Sequence, residues 1–121
     1  MYEDLTQTFE DERGYLTSLD LTTLPFPPKR LFVIFGKAGK TRGKHAHKKC
    51  KQYLICLDGL VRCKSKDLVL GFEHERIMGG GDCVYLMNKI WVELECIEDS
   101  HLLCLCSESY DKTDYIYEKK L

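Results

Sequence analysis

The stretch "RGKHAHKKCKQYLICLDG" (42–59) carries two of the chain's four histidines, His45 and His47, one residue apart. On an extended strand, residues i and i+2 project to the same face. The two imidazoles therefore stand side by side, with Arg42 and Lys48 close in sequence. Such a pair can ligate a divalent metal, act as an acid and a base near neutral pH, or lie solvated on the outside of a strand.

Outward from this stretch the sequence is a succession of short β-rich segments. "LFVIF" (31–35), "QYLICL" (52–57), "LVRCK" (60–64), "DLVL" (67–70), "CVYLM" (83–87), "WVELECI" (91–97) and "HLLCLCS" (101–107) are rich in Val, Ile, Tyr and Leu. Asp58-Gly59 between two of them reads as a tight hairpin turn. Gly79-Gly80-Gly81-Asp82 and Asn88-Lys89 are further breaks. "GYLTSLDL" (14–21) alternates and suits one more strand, while "TTLPFPPKR" (22–30) is a Pro-stiffened, extended connection. No segment sustains a helical period, so this spacing predicts an all-β sandwich or barrel. With 121 residues, 44% of them hydrophobic, and no internal repeat, a single domain over 1–121 is expected.

Composition narrows the function classes. The 18 Lys and Arg nearly balance the 19 Asp and Glu, which argues against a nucleic-acid-binding surface. The local run Lys44, Lys48, Lys49 and Lys51 still suits one phosphorylated ligand. Seven cysteines, an odd number without a C-x-x-C, sit mostly inside apolar runs. They read as buried, reduced thiols of a cytoplasmic protein. No stretch is long enough to span a membrane, and "MYEDLTQTFEDERG" is acidic and polar, unlike a signal peptide.

Spacing around the histidine pair sharpens its reading. Five residues separate Gly39 from His45, four separate His47 from Gln52, and six separate Gln52 from Gly59. This pattern resembles the first motif of the cupin superfamily, a small double-stranded β-helix or jelly-roll barrel. Metal-binding cupins place a Glu where this chain has Gln52, and a third His after a Gly-rich turn. Here "GGGDCVYLMNKIWVELE" (79–95) holds no histidine, and Val92 follows Trp91. Two imidazoles and a neutral amide fall short of the three or so ligands a catalytic metal needs, so no metal is expected. His74 and His101 lie outside the motif positions and read as ordinary strand or loop residues.

The flanks point to one branch. "FEDERGYLTSL" (9–19), "LPFPPKRLFVIF" (24–35), the histidine stretch, Trp91 and "SESYDKTDYI" (107–116) occur in order. Together they are similar to the nucleotide-sugar 3,4-ketoisomerases, the WxcM-like cupins, over nearly the whole chain. The resemblance implies an isomerase that interconverts 4-keto-6-deoxy and 3-keto-6-deoxy sugars attached to dTDP, with no cofactor. Homodimers whose N-terminal strands pair with the partner barrel are implied as well.

By the same resemblance His45 and His47 form the proton-transfer pair. Tyr15 of "RGYL" is the implied donor to the developing oxyanion, or the acid at C4. Arg13, Arg30 and Arg42, and Lys48 after them, are implied to hold the diphosphate or a sugar oxygen. Trp91 is implied to stack on the base or line the barrel mouth, and Tyr110 and Asp111 to fix a terminal turn. The chemistry itself asks for little more. Moving a ketone from C4 to C3 needs a base with a pKa near neutrality and a donor to the enediolate oxygen. Two alternatives stay open at this point. One is a non-catalytic cupin that binds a nucleotide sugar or a partner enzyme in a cell-surface polysaccharide pathway, and the other is a metal-dependent cupin.

Overall fold

The computed structural model describes residues 4–121. An N-terminal hairpin, β1 (Gln7–Asp11) and β2 (Gly14–Ser18), leads through a short 3-10 helix (Leu21–Thr23) into β3 (Arg30–Gly36). There follow β4 (Thr41–His47), β5 (Gln52–Asp58), β6 (Leu60–Asp67), β7 (Glu73–Gly79), β8 (Cys83–Leu86), β9 (Ile90–Cys96) and β10 (Ser100–Cys106). A second 3-10 helix (Lys112–Asp114) and the two-residue β11 (Tyr115–Ile116) close the chain. One antiparallel sheet has the order β3-β10-β5-β8 and the other β11-β4-β9-β6-β7. Apart from the β6–β7 hairpin, consecutive strands from β3 onward switch sheets, which is the weave of a jelly-roll barrel.

The core lies between the sheets. Leu54, Cys56, Val61, Cys63, Met78, Val84, Leu94 and Leu102 alternate inward from both sides and are buried. Each such aliphatic side chain removed from water contributes about 1.5–3 kcal/mol. β5 is buried on its other face too, where Tyr53 and Ile55 meet Leu5, Leu19, Leu24 and Phe26 of the N-terminal segment. That double burial explains why "QYLICL" is an almost unbroken apolar run. All seven cysteines are buried and free.

Two local readings of the sequence need correction. Asp58-Gly59 is not a hairpin turn: β5 pairs with β10 and β8, and β6 with β7 and β9. It is a corner between sheets, pressed so closely against β10 that a Cβ on Gly59 would meet the Ser100 hydroxyl and the Asp99 carbonyl. "DLVL" is not a strand. Asp67 ends β6, and its carboxylate accepts from the Val69 and Leu70 amides, folding these residues into a turn that leaves both side chains exposed. The strand partner of β6 is instead "EHERIMG", β7. It is an edge strand that turns mostly charged side chains to solvent and so shows no apolar run.

Candidate active site

β4 departs from strict alternation at the point that matters. Against β9, Arg42 lies opposite Leu94, Gly43 opposite Glu93 and His45 opposite Val92, so Lys44 is an extra residue in the strand. Directly opposed residues share a face. The bulge thus puts Arg42 and His45 on the same inner face as Leu94 and Val92, where unbroken alternation would separate them. Two successive left-handed residues build it, Gly43 at φ 87° and Lys44 at φ 62°. A Cβ on Gly43 would lie 2.9 Å from the Val92 carbonyl oxygen, so no other residue fits without a shift.

Between the sheets opens a cavity of about 290 Å³ whose polar wall is Arg30, Arg42, His45, Gln52 and Tyr115. Its apolar wall includes Phe32, Leu54, Leu86, Val92 and Leu94. His45 Nδ1 lies 3.1 Å from the Gly43 carbonyl oxygen. A carbonyl can only accept, so Nδ1 carries the proton and Nε2 keeps a lone pair. His47 is buried, with its Nδ1 3.1 Å from Asp114 Oδ2. Asp114 also accepts from the Lys49 amide (2.8 Å) and the Cys50 amide (3.2 Å). The two imidazoles meet edge to face, with ring centroids 5.1 Å apart. Tyr115 packs on both, at 4.8 Å from His45 and 4.5 Å from His47. The Arg30 guanidinium lies over the rings of Phe32 and Tyr110 and shares the cavity wall with Tyr115.

The electrostatics suit proton transfer. Burial holds His45 below its ordinary value of 6.5, and the Gly43 carbonyl only partly offsets this. Burial and the neighbouring His45 depress His47 further than Asp114 raises it. Burial pushes the Tyr115 phenol up against the opposing pull of Arg30. At neutral pH the cavity therefore offers a neutral imidazole as acceptor and an intact phenol as donor.

The structure brings some of the expected site residues together and leaves others apart. His45, Arg30 and Arg42 share the cavity, and His47 stands directly behind His45. Lys48 begins the turn after β4 and does not line the cavity. Trp91 precedes inward-facing Val92 by one residue and so faces out. It is buried there, donates from Nε1 to Glu93, and flanks a separate surface cleft with Lys64, Glu75 and Lys119. Arg13 sits on the β1–β2 hairpin, exposed and paired with Asp11. Tyr15, on the same hairpin, donates to the Leu57 carbonyl (3.2 Å), at the outside of the four-stranded sheet. His101 pairs with Asp58 and His74 lines the surface cleft, both away from the cavity.

Sequence reasoning missed Asp114 and Tyr115. The signal was the "YDKTDYI" stretch itself, but its contact with β4, more than sixty residues earlier, is visible only in the β11–β4 register, where Tyr115 opposes His47. Asp111, expected to fix this turn, caps the 3-10 helix through the Thr113 amide.

The family model described as FdtA, WxcM-like, C-terminal matches residues 2–121. The chain belongs to this family. A relative from Aneurinibacillus thermoaerophilus, TDP-4-oxo-6-deoxy-alpha-D-glucose-3,4-oxoisomerase, is 36% identical over 111 residues, covering 88% of this chain and 78% of its own. Among solved structures, the sugar 3,4-ketoisomerase QdtA from Thermoanaerobacterium thermosaccharolyticum, in complex with TDP, superposes with a TM-score of 0.82 at 33% identity. That match covers 93% of this chain and 84% of QdtA. The TDP-quinovose 3,4-ketoisomerase WlaRB from Campylobacter jejuni superposes with a TM-score of 0.83 at 28% identity, covering 95% and 90%. The barrel is thus the cupin jelly roll of sugar ketoisomerases.

Proposed function

We propose that this chain is a 3,4-ketoisomerase acting on a TDP-linked 4-keto-6-deoxyhexose. The observation that carries the reading is His45: a neutral imidazole on the cavity wall, its Nδ1–H tied to Gly43 and its Nε2 left as the acceptor. The C3 hydrogen of such a sugar is acidic because it is α to the C4 ketone. His45 Nε2 takes that proton, and the electron pair becomes the C3–C4 double bond of an enediolate. Arg30 and Tyr115 are the donors placed to hold the C4 oxygen as its charge develops. The C3 hydroxyl proton passes to the C4 oxygen and the proton held on His45 returns to the C4 carbon, which leaves the ketone at C3 and a hydroxyl at C4.

Arg42 at the cavity and Lys48 beyond it are the cations proposed to guide the diphosphate of a TDP-linked ligand. The protein is further proposed to work as a homodimer. The β1–β2 hairpin exposes Phe9 and Leu16, and edge strand β3 exposes Leu31, Val33 and Phe35. Covering these apolar surfaces with a second copy would carry Arg13 and Tyr15 toward the partner barrel. Seven reduced, buried thiols support a cytoplasmic location, and the substrate class supports a place in deoxysugar supply for cell-surface polysaccharide.

The test is to change His45 and His47 singly to Asn and follow exchange of the C3 proton with deuterated solvent by NMR. Loss of exchange in His45→Asn is expected. Full exchange in both variants would sink the reading.

A further inference from the structure

The carboxylate of Asp114 is buried and saturated. Oδ1 accepts from the Lys49 amide, and Oδ2 accepts from the Cys50 amide and faces His47 Nδ1. With donors already placed on both oxygens it is held as an acceptor, so the proton of the His47 bond resides on Nδ1. The consequence lies at the other nitrogen. His47 Nε2 is completely buried, keeps a lone pair, and has no hydrogen-bond partner among the described residues. A buried acceptor without a partner is costly, and proteins seldom keep one that serves only packing. The rings packed against His47 are those of His45 and Tyr115, and both line the substrate cavity.

Building on the assignment of His45 as the base, we propose that Asp114 is a positioning residue. It locks His47 in the Nδ1–H tautomer, so that a lone pair rather than an N–H dipole backs His45 when His45 becomes an imidazolium. The tautomer decides the sign of the effect. With the proton on Nδ1, the Nε2 lone pair and the Asp114 charge behind it stabilise the positive charge that His45 gains from C3. With the proton on Nε2, the buried N–H would point its positive end into the same cluster and oppose that charge. No proton needs to reach His47, and burial keeps this ring neutral. The titratable and charged groups around His45 are Arg30, Arg42, Tyr115, Tyr117 and His47, with Asp114 behind.

Asn at position 114 can still accept the Lys49 amide but turns an NH₂ toward His47, which favours the opposite tautomer. Asp114→Asn is therefore expected to slow C3 proton exchange at least tenfold with KM nearly unchanged, and to lower the His45 titration midpoint. Because Asp114 also holds the turn after β4, that variant can fail to fold. The deciding measurement is then made on the wild-type protein, where ¹⁵N NMR reads the His47 tautomer directly. A neutral Nδ1–H ring at pH 7 is expected. A ring protonated on Nε2, or a folded Asp114→Asn protein with unaltered exchange, would overturn the proposal. If His45→Asn itself retains exchange, the base assignment fails instead, so the two failures are told apart.

Discussion

Gly43→Ala tests whether the bulge in β4 is what makes the site. Gly43 has φ 87°, a conformation that costs an L-residue about 1–2 kcal/mol. The new Cβ would also lie 2.9 Å from the Val92 carbonyl oxygen, tighter than real contacts allow. Relieving that overlap moves β4 against β9 and adds about 1–2 kcal/mol. The total is about 3 kcal/mol, which for a domain of this size is a fall in Tm of roughly 12 °C. Gly39→Ala is the internal control. Gly39 has a similar φ of 81°, but nothing lies within 4 Å of its added Cβ. It should cost only the backbone contribution of about 1–2 kcal/mol, roughly 4–8 °C, and leave turnover unchanged. Because Gly43 sets the phase of His45, Gly43→Ala should also cut turnover about a hundredfold, the usual penalty for a base displaced by about an ångström. Differential scanning fluorimetry and an initial-rate assay on both variants suffice. Equal loss of Tm in the two, or full activity in Gly43→Ala, would show that the bulge does not set the position of His45.

Three further outcomes follow from the same geometry. Since the folded protein holds His45 and His47 below 6.5, the unfolded chain binds more protons as pH drops past that value. Stability should thus be complete above about pH 6.5 and decline as pH falls through the depressed folded-state values, with kcat/KM failing over the same acid range; melts and rates from pH 5 to 8 check both. Tyr115→Phe should slow turnover about 10- to 100-fold with little change in Tm, because the ring stays packed and only the donor is lost; an unaltered rate would assign the oxyanion to other groups. Val33→Asp on the exposed face of β3 should yield monomers by sedimentation velocity, and an undiminished dimer mass would place the interface elsewhere.

What could be read in advance depended on the range of the interaction. The strands that bury one or both faces, such as β5 and β10, declared themselves through Val, Leu, Ile and Tyr. β7 did not, because an edge strand with a solvent-facing side needs few apolar residues, while Val69 and Leu70 mimicked a strand although Asp67 folds them into a turn. The histidine pair was legible from local spacing. Its shared face with Arg42 was not, since this depends on the bulge at Lys44, a feature of backbone conformation rather than of residue type. Asp114 and Tyr115 stayed hidden because their contacts with His47 close a loop of more than sixty residues. Trp91 shows the converse: the resemblance implied stacking on the base or lining the barrel mouth, and the register beside Val92, not readable from local sequence, turns the ring outward to border the surface cleft.

The reaction proposed for the cavity is transfer of a ketone between C4 and C3. The direct measurement is NMR of TDP-4-keto-6-deoxyglucose incubated with the purified protein. Appearance of the 3-keto-6-deoxy sugar, still linked to TDP, is the result predicted here. An unchanged sugar with TDP nevertheless bound would contradict it and make the barrel a binding module.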